Sequence, residues 1–221
     1  MKLAVQAIVK FLAGLLLVGV LLFVPAGTLH YAGGWLFMGL LFIPIFLLGL
    51  FLLLRAPALL KKRLDGKESD QAQRGVVVCS ALLFMAGFIV AGLDFRFGWS
   101  RVPTAVTVAA AVLFVAAYGL YAEVMRENTY LSRTIRVQEG QTVIDSGLYG
   151  IVRHPMYAAT VLLFLMIPLV LGSWWAVIPF AGYPALIARR ILGEEALLAE
   201  QLDGYTAYTQ KVKYRLLPFI W

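Results

Sequence analysis

Four stretches of this chain, residues 4–24, 35–54, 76–93 and 103–122, each run for about twenty residues with Lys10 as the sole charge among them. A helix needs about 20 apolar residues to cross a hydrocarbon layer. Inside lipid the backbone must satisfy its own hydrogen bonds, so such runs fold as helices. Two shorter runs, 156–172 and 174–188, are separated only by Gly172-Ser173. They read as a tight helical hairpin that crosses and returns, with a re-entrant pair as the alternative. The expected fold is all-α: a polytopic integral membrane bundle of about six transmembrane helices.

Composition agrees. The chain is 62% hydrophobic and 14% charged, whereas soluble domains sit near 45–50% apolar and about 25% charged. Its net charge of +7 suggests nucleic acid until the basic residues are placed. Seventeen of the nineteen fall before residue 11, in 55–75, in 123–154 or after 188, and only Arg96 and Arg101 lie in the opposite loop. That bias orients the spans with both termini cytoplasmic, and no nucleic-acid partner is expected. Lys2 and Lys10 before the apolar run Phe11–Val24 also fit a secretory leader. The apolar stretch from Leu3 is already span-length, which favours a first membrane helix. Cys79 is the single cysteine, so no disulfide framework is expected. With two distant histidines, no metal centre is expected either.

The chain divides at residue 122. Residues 1–122 form a four-helix region, and 123–221 hold a loop, the hairpin and a charged tail. Pro44, Pro168, Pro179 and Pro184 read as helix kinks. Asp94 and Arg96 read as a rim pair, and Glu123, Arg126 and Glu127 as a brace at helical spacing. In the tail, Leu197, Leu198, Leu202, Tyr205, Tyr208 and Val212 recur at helical spacing, interrupted by Asp203-Gly204. This pattern predicts short helices on the membrane face, with Tyr205 and Tyr208 as packing residues.

Chemistry concentrates at one end of the hairpin. Proline suits the first helical position, so a helix is expected to begin at Pro155 with Arg153 and His154 just outside it. A helix start favours a bound anion. Seventeen residues span roughly 26 Å, so the return strand of the hairpin brings Arg189, Arg190, Glu194 and Glu195 back to the face that carries His154. Gln138 to Tyr149 lies on the same side. Glutamates for hydroxyl or ammonium groups, a helix start for a carboxylate and tyrosine faces for a sulfonium suit a zwitterionic nucleotide cofactor. Spacing alone does not identify it.

Gly147-x-Tyr149, Arg153-His154-Pro155-x-Tyr157, Arg190, Glu194-Glu195, Tyr205-x-x-Tyr208 and Leu217-Pro218 follow one another in order. This set resembles the isoprenylcysteine carboxyl methyltransferase family and its relatives among phospholipid N-methyltransferases, over about residues 128–219. The resemblance implies S-adenosyl-L-methionine as cofactor and a lipophilic or lipidated acceptor entering from the bilayer. It implies cofactor contacts from Gln138, Gln141, Thr142, Val143, Ile144, Tyr149, His154, Pro155, Met156, Tyr157, and Glu194 or Glu195. Arg190, with His154 and Arg153, would serve the acceptor and the chemistry, and Arg189 remains an alternative to Arg190. A carboxyl acceptor is favoured, a phospholipid amine comes next, and a bacterial inner membrane is the expected setting. Membrane sterol reductases, which bind NADPH in a related C-terminal half, are the second enzyme class, with Arg133 and Arg136 as candidates for the 2′-phosphate. A transporter is disfavoured because the spans carry almost no charge. The oligomeric state is not legible.

Overall fold

In the computed structural model, residues 2–64, 71–128, 130 and 137–221 are described. Arg133 and Arg136 lie outside them. The described residues are helical with irregular connections. The first two helices are α1 (Lys2–Ala26) and α2 (Ala32–Arg55), followed by a short amphipathic α3 (Pro57–Leu64). Next come α4 (Gln71–Phe97), α5 (Thr104–Glu127) and α6 (Pro155–Leu171). The chain closes with α7 (Val177–Ala181), α8 (Tyr183–Gln201) and α9 (Tyr205–Lys211). Among the described residues α1, α2, α4 and α5 are long and apolar enough to cross a membrane, and α6 is a shorter apolar helix. The protein is an integral membrane helical bundle.

The return half of the hairpin differs from the expected single span. After the turn at Gly172-Ser173 the chain makes the short α7, is interrupted for one residue at Gly182, which keeps right-handed helical dihedrals, and then continues unbroken through α8 to Gln201. Pro184 sits in the first turn of α8 and starts that helix rather than kinking one, because its missing N–H falls where no intrahelical partner exists. A single helix, α8, therefore carries Arg190 and both glutamates.

Leu22, Phe37, Phe88, Phe114, Ile167, Leu171 and Phe180 make the core between the helices. Phe37 lies edge-on to Phe114, and Phe88 packs on Phe180. The end of the bundle away from the hairpin's charged end is tied by Asp94. It is buried and accepts hydrogen bonds from Ser100 N at 2.7 Å, Ser100 Oγ at 2.6 Å and Ser173 Oγ. The expected rim pair does not form, since Arg96 lies against Gly27 and over Phe97. Serine donors satisfy the buried carboxylate and leave the guanidinium at the edge.

Helices α1 and α4 approach closely at Gly92. A Cβ there would stand 2.6 Å from the Leu22 carbonyl oxygen and 3.0 Å from Pro25 Cβ, closer than backbone can yield locally. Small residues permit such contacts in membrane bundles. Gly92→Ala is expected to force the two helices apart and destabilise the protein by roughly 1–3 kcal/mol. Thermal unfolding in detergent checks this, and an unchanged midpoint would show that the contact is not tight.

Candidate active site

The charged end of the hairpin begins with a sharp corner. Gly147 has φ 53°, and a Cβ on it would lie 1.6 Å from Glu127 Oε1. The left-handed backbone favours glycine, and a side chain here would displace the Glu127 carboxylate. The Glu127 carboxylate accepts the Leu148 N–H at 3.0 and 3.2 Å and so clamps the end of α5 to the single 3-10 turn Gly147–Gly150. Glu123 and Arg126 pair at 2.6 Å on the exposed side of α5, so only part of the expected brace faces inward. The corner buries Tyr149. Its hydroxyl accepts from Asn128 Nδ2 at 2.9 Å, and its carbonyl accepts from the Tyr208 hydroxyl at 2.7 Å.

Helix α6 starts at Pro155 with His154 at the cap position. The tail runs beside this start: Arg153 N–H donates to the Tyr214 carbonyl and His154 N–H to the Arg215 carbonyl, both at 2.9 Å. Arg153 is buried. Its Nη1 donates to the Val212 and Lys213 carbonyls at 2.8 and 2.9 Å, and its Nε to Glu195 Oε1 at 2.6 Å. His154 Nε2 lies 3.2 Å from the same oxygen. Arg215 Nε donates to Glu195 Oε2 at 2.7 Å. Burial by itself would raise the pKa of Glu195. The hydrogen bonds from His154, Arg153 and Arg215 overcome that and hold it down at about 2.

Neighbouring residues on a helix point about 100° apart, and the two glutamates accordingly serve different neighbours. Glu194 Oε2 accepts from the Tyr157 hydroxyl at 2.6 Å, and the same hydroxyl accepts from Arg190 Nε at 3.0 Å. Arg190 and Glu194 share a face of α8 because they are four residues apart. Beneath them Tyr157, Tyr183, Ile187, Ile191 and Leu216 form an apolar cluster.

Above this floor opens a small cleft of about 100 Å³ that is continuous with solvent. Of the residues singled out from the sequence, Gln141, Thr142, Val143, Ile144, Tyr149, Arg153, His154, Met156, Tyr157 and Glu194 line it. Four do not. Pro155 is buried at the helix start, and Arg190 stands behind Tyr157. Glu195 turns to the tail, and Gln138 bonds the loop through its backbone N–H to Gln141 Oε1 and its Nε2 to the Tyr130 carbonyl.

Sequence reasoning missed Asn128, Tyr130, Leu198, Leu202, Tyr205 and Tyr208, which also line the cleft. Leu198 and Leu202 lie four and eight residues after Glu194, so helical spacing from that residue would have found them. Tyr205 and Tyr208 do pack with Leu202 and Val212, and they present the same aromatic wall to the cleft.

Residues 104–200 match the family model described as isoprenylcysteine carboxyl methyltransferase (ICMT) family. Over that segment the chain is similar to the family. No curated protein matches the chain. The match covers somewhat under half of the chain and starts upstream of the expected resemblance, at the first residue of α5. This fits the packing, because α5 and α6 are the most extensively packed pair of helices and the end of α5 supplies Glu127 and Asn128. The ICMT family is a methyltransferase family, so the apolar bundle and the match together indicate a membrane methyltransferase.

Proposed function

We propose that this protein transfers a methyl group from S-adenosyl-L-methionine to a lipophilic acceptor at the cytoplasmic face of a bacterial inner membrane. Carboxyl O-methylation of an isoprenylcysteine-like substrate is the favoured reaction. The observation that carries this reading is the cleft. Within one space it joins Arg153, His154 and Glu194 to an apolar and aromatic wall of Val143, Leu198, Leu202, Tyr205 and Tyr208, at the end of a membrane bundle.

The donor set fits the cofactor. Glu194 offers a carboxylate to an ammonium, Asn128, Gln141 and Thr142 offer neutral polar groups, and the tyrosine faces suit a cation. When bound, S-adenosyl-L-methionine supplies a methyl group on a sulfonium, activated enough that a carboxylate acceptor needs no base. The residues therefore position and desolvate rather than move protons. The Tyr157 hydroxyl bonds both Arg190 and Glu194, which fixes the arginine one side chain away from the cleft, on the side from which an anionic acceptor head would approach. His154 and Arg153 keep the start of α6 in place through Glu195. The Lys/Arg bias of the loops supports the cytoplasmic orientation.

The test is calorimetric titration of the detergent-purified protein with S-adenosylhomocysteine and, separately, with NADPH, followed by transfer of labelled methyl to an isoprenylated cysteine or to phosphatidylethanolamine. Micromolar binding of the first ligand only, with label appearing on the carboxyl acceptor, is the expected outcome. Binding of NADPH alone would replace this reading with a membrane reductase.

A further inference from the structure

Tyr205 begins α9, lines the cleft and is 5% exposed. Its hydroxyl is sealed from water and, among the described residues, is the one buried side-chain polar atom without a hydrogen-bond partner. Buried hydroxyls are nearly always paired, and leaving one unpaired is costly. Neighbouring Tyr208, three residues on, shows the ordinary solution by donating to the Tyr149 carbonyl. Burial, with Glu195 and Glu194 next in effect, pushes the Tyr205 phenol well above its usual pKa, so it stays protonated and acts as a donor.

The surroundings select the partner. Tyr205 packs with Leu202, Tyr208, Val212, Val143 and Leu198, and Glu195, Glu194 and Arg153 stand close enough to act on its phenol. A donating hydroxyl needs an acceptor, which an ammonium is not, and the two glutamates disfavour a further carboxylate beside it, which leaves the neutral acceptors of a heterocycle or sugar. We propose that the Tyr205 hydroxyl donates a hydrogen bond to the nucleoside half of the cofactor. This rests on the cofactor reading above. Because the hydroxyl has no exposed surface, the ring or a neighbour must shift as the ligand seats.

Tyr205→Phe tests it, because phenylalanine keeps the ring and removes only the unpaired oxygen. Binding is measured by calorimetry with S-adenosylhomocysteine and with 5′-methylthioadenosine, which lacks the amino-acid end, and stability by thermal unfolding without ligand. The variant is expected to bind both ligands about three- to twentyfold more weakly, as for loss of one hydrogen bond, with a Tm equal to or above that of the wild type. A fall in Tm would assign the hydroxyl a structural role and overturn the proposal. Unchanged affinity would do so too, as would weakening confined to S-adenosylhomocysteine, which would move the contact to the amino-acid end. If the wild type binds neither adenosine ligand, the cofactor reading itself falls, a result distinct from any effect of the substitution.

Discussion

Glu195→Ala is expected to release the tail and to abolish ligand binding by unfolding the site. The substitution strands Arg153, whose side chain is only 6% exposed and whose Nε has Glu195 as its carboxylate partner. It also removes the acceptor for Arg215 and His154. Removing one member of a buried pair costs roughly 3–5 kcal/mol, since the remaining charge is left uncompensated. The tail from Val212 to Arg215 is held to the start of α6 by the backbone bonds of Arg153 and His154 and by Arg153 Nη1, and Glu195 fixes that arrangement through Arg153 and Arg215. Proteolysis should then cut after α9, and the unfolding midpoint in detergent should fall well below that of the wild type. A variant with an intact tail and an unchanged midpoint would refute the assignment. The same network sets a pH dependence. The folded pKa of Glu195 is lowered from 4.5 to about 2, so its contribution is fully present above pH 4.5 and is lost as pH falls from there toward 2. Protection of the tail should weaken across that window in the wild type.

Glu194→Gln should give the opposite signature: a folded protein that no longer holds its ligand well. Glutamine can still accept from the Tyr157 hydroxyl, so the Arg190–Tyr157 contact and the helix are preserved. What is lost is the charge facing the cleft. A charge-assisted hydrogen bond to an ammonium is roughly twice as strong as a neutral one, and truncating one partner of a buried charged pair typically costs 2 kcal/mol or more. Affinity for S-adenosylhomocysteine is therefore expected to drop about thirtyfold or further, with Tm within about 2 °C of the wild type. Binding of 5′-methylthioadenosine should be nearly unaffected, because it has no ammonium. If both ligands weaken equally, Glu194 does not face the amino-acid end.

These two adjacent glutamates show how far the sequence could be read. Their presence near His154 follows from counting: a hairpin of two comparable arms returns its end to where it began. Which of them faces the cleft does not follow, because a rotation of α8 by one residue exchanges their roles without altering the hydrophobic pattern. The packing of Tyr183, Ile187 and Ile191 against α6 sets that rotation. The same holds for the spans. Runs at 4–24, 35–54, 76–93 and 103–122 became α1, α2, α4 and α5 with ends shifted by a few residues. The run at 174–188 became α7 and the first part of α8. Both α7 and α8 pack against α4, a tertiary arrangement that local spacing does not give. Helix α3 was not foreseen, since eight residues are too short for a periodic pattern to stand out.

The sequence by itself determined that the chain is a membrane bundle, because long uncharged runs have no other solvent. It also determined where α6 begins, because proline dictates a first helical position. The tertiary structure alone decided the inventory of the cleft: Glu194 rather than Glu195, Tyr157 between Arg190 and that carboxylate, and Tyr205 with its hydroxyl unpaired. Those facts depend on helix rotation and on a tail that folds back about sixty residues to meet Arg153, and neither is encoded in local spacing.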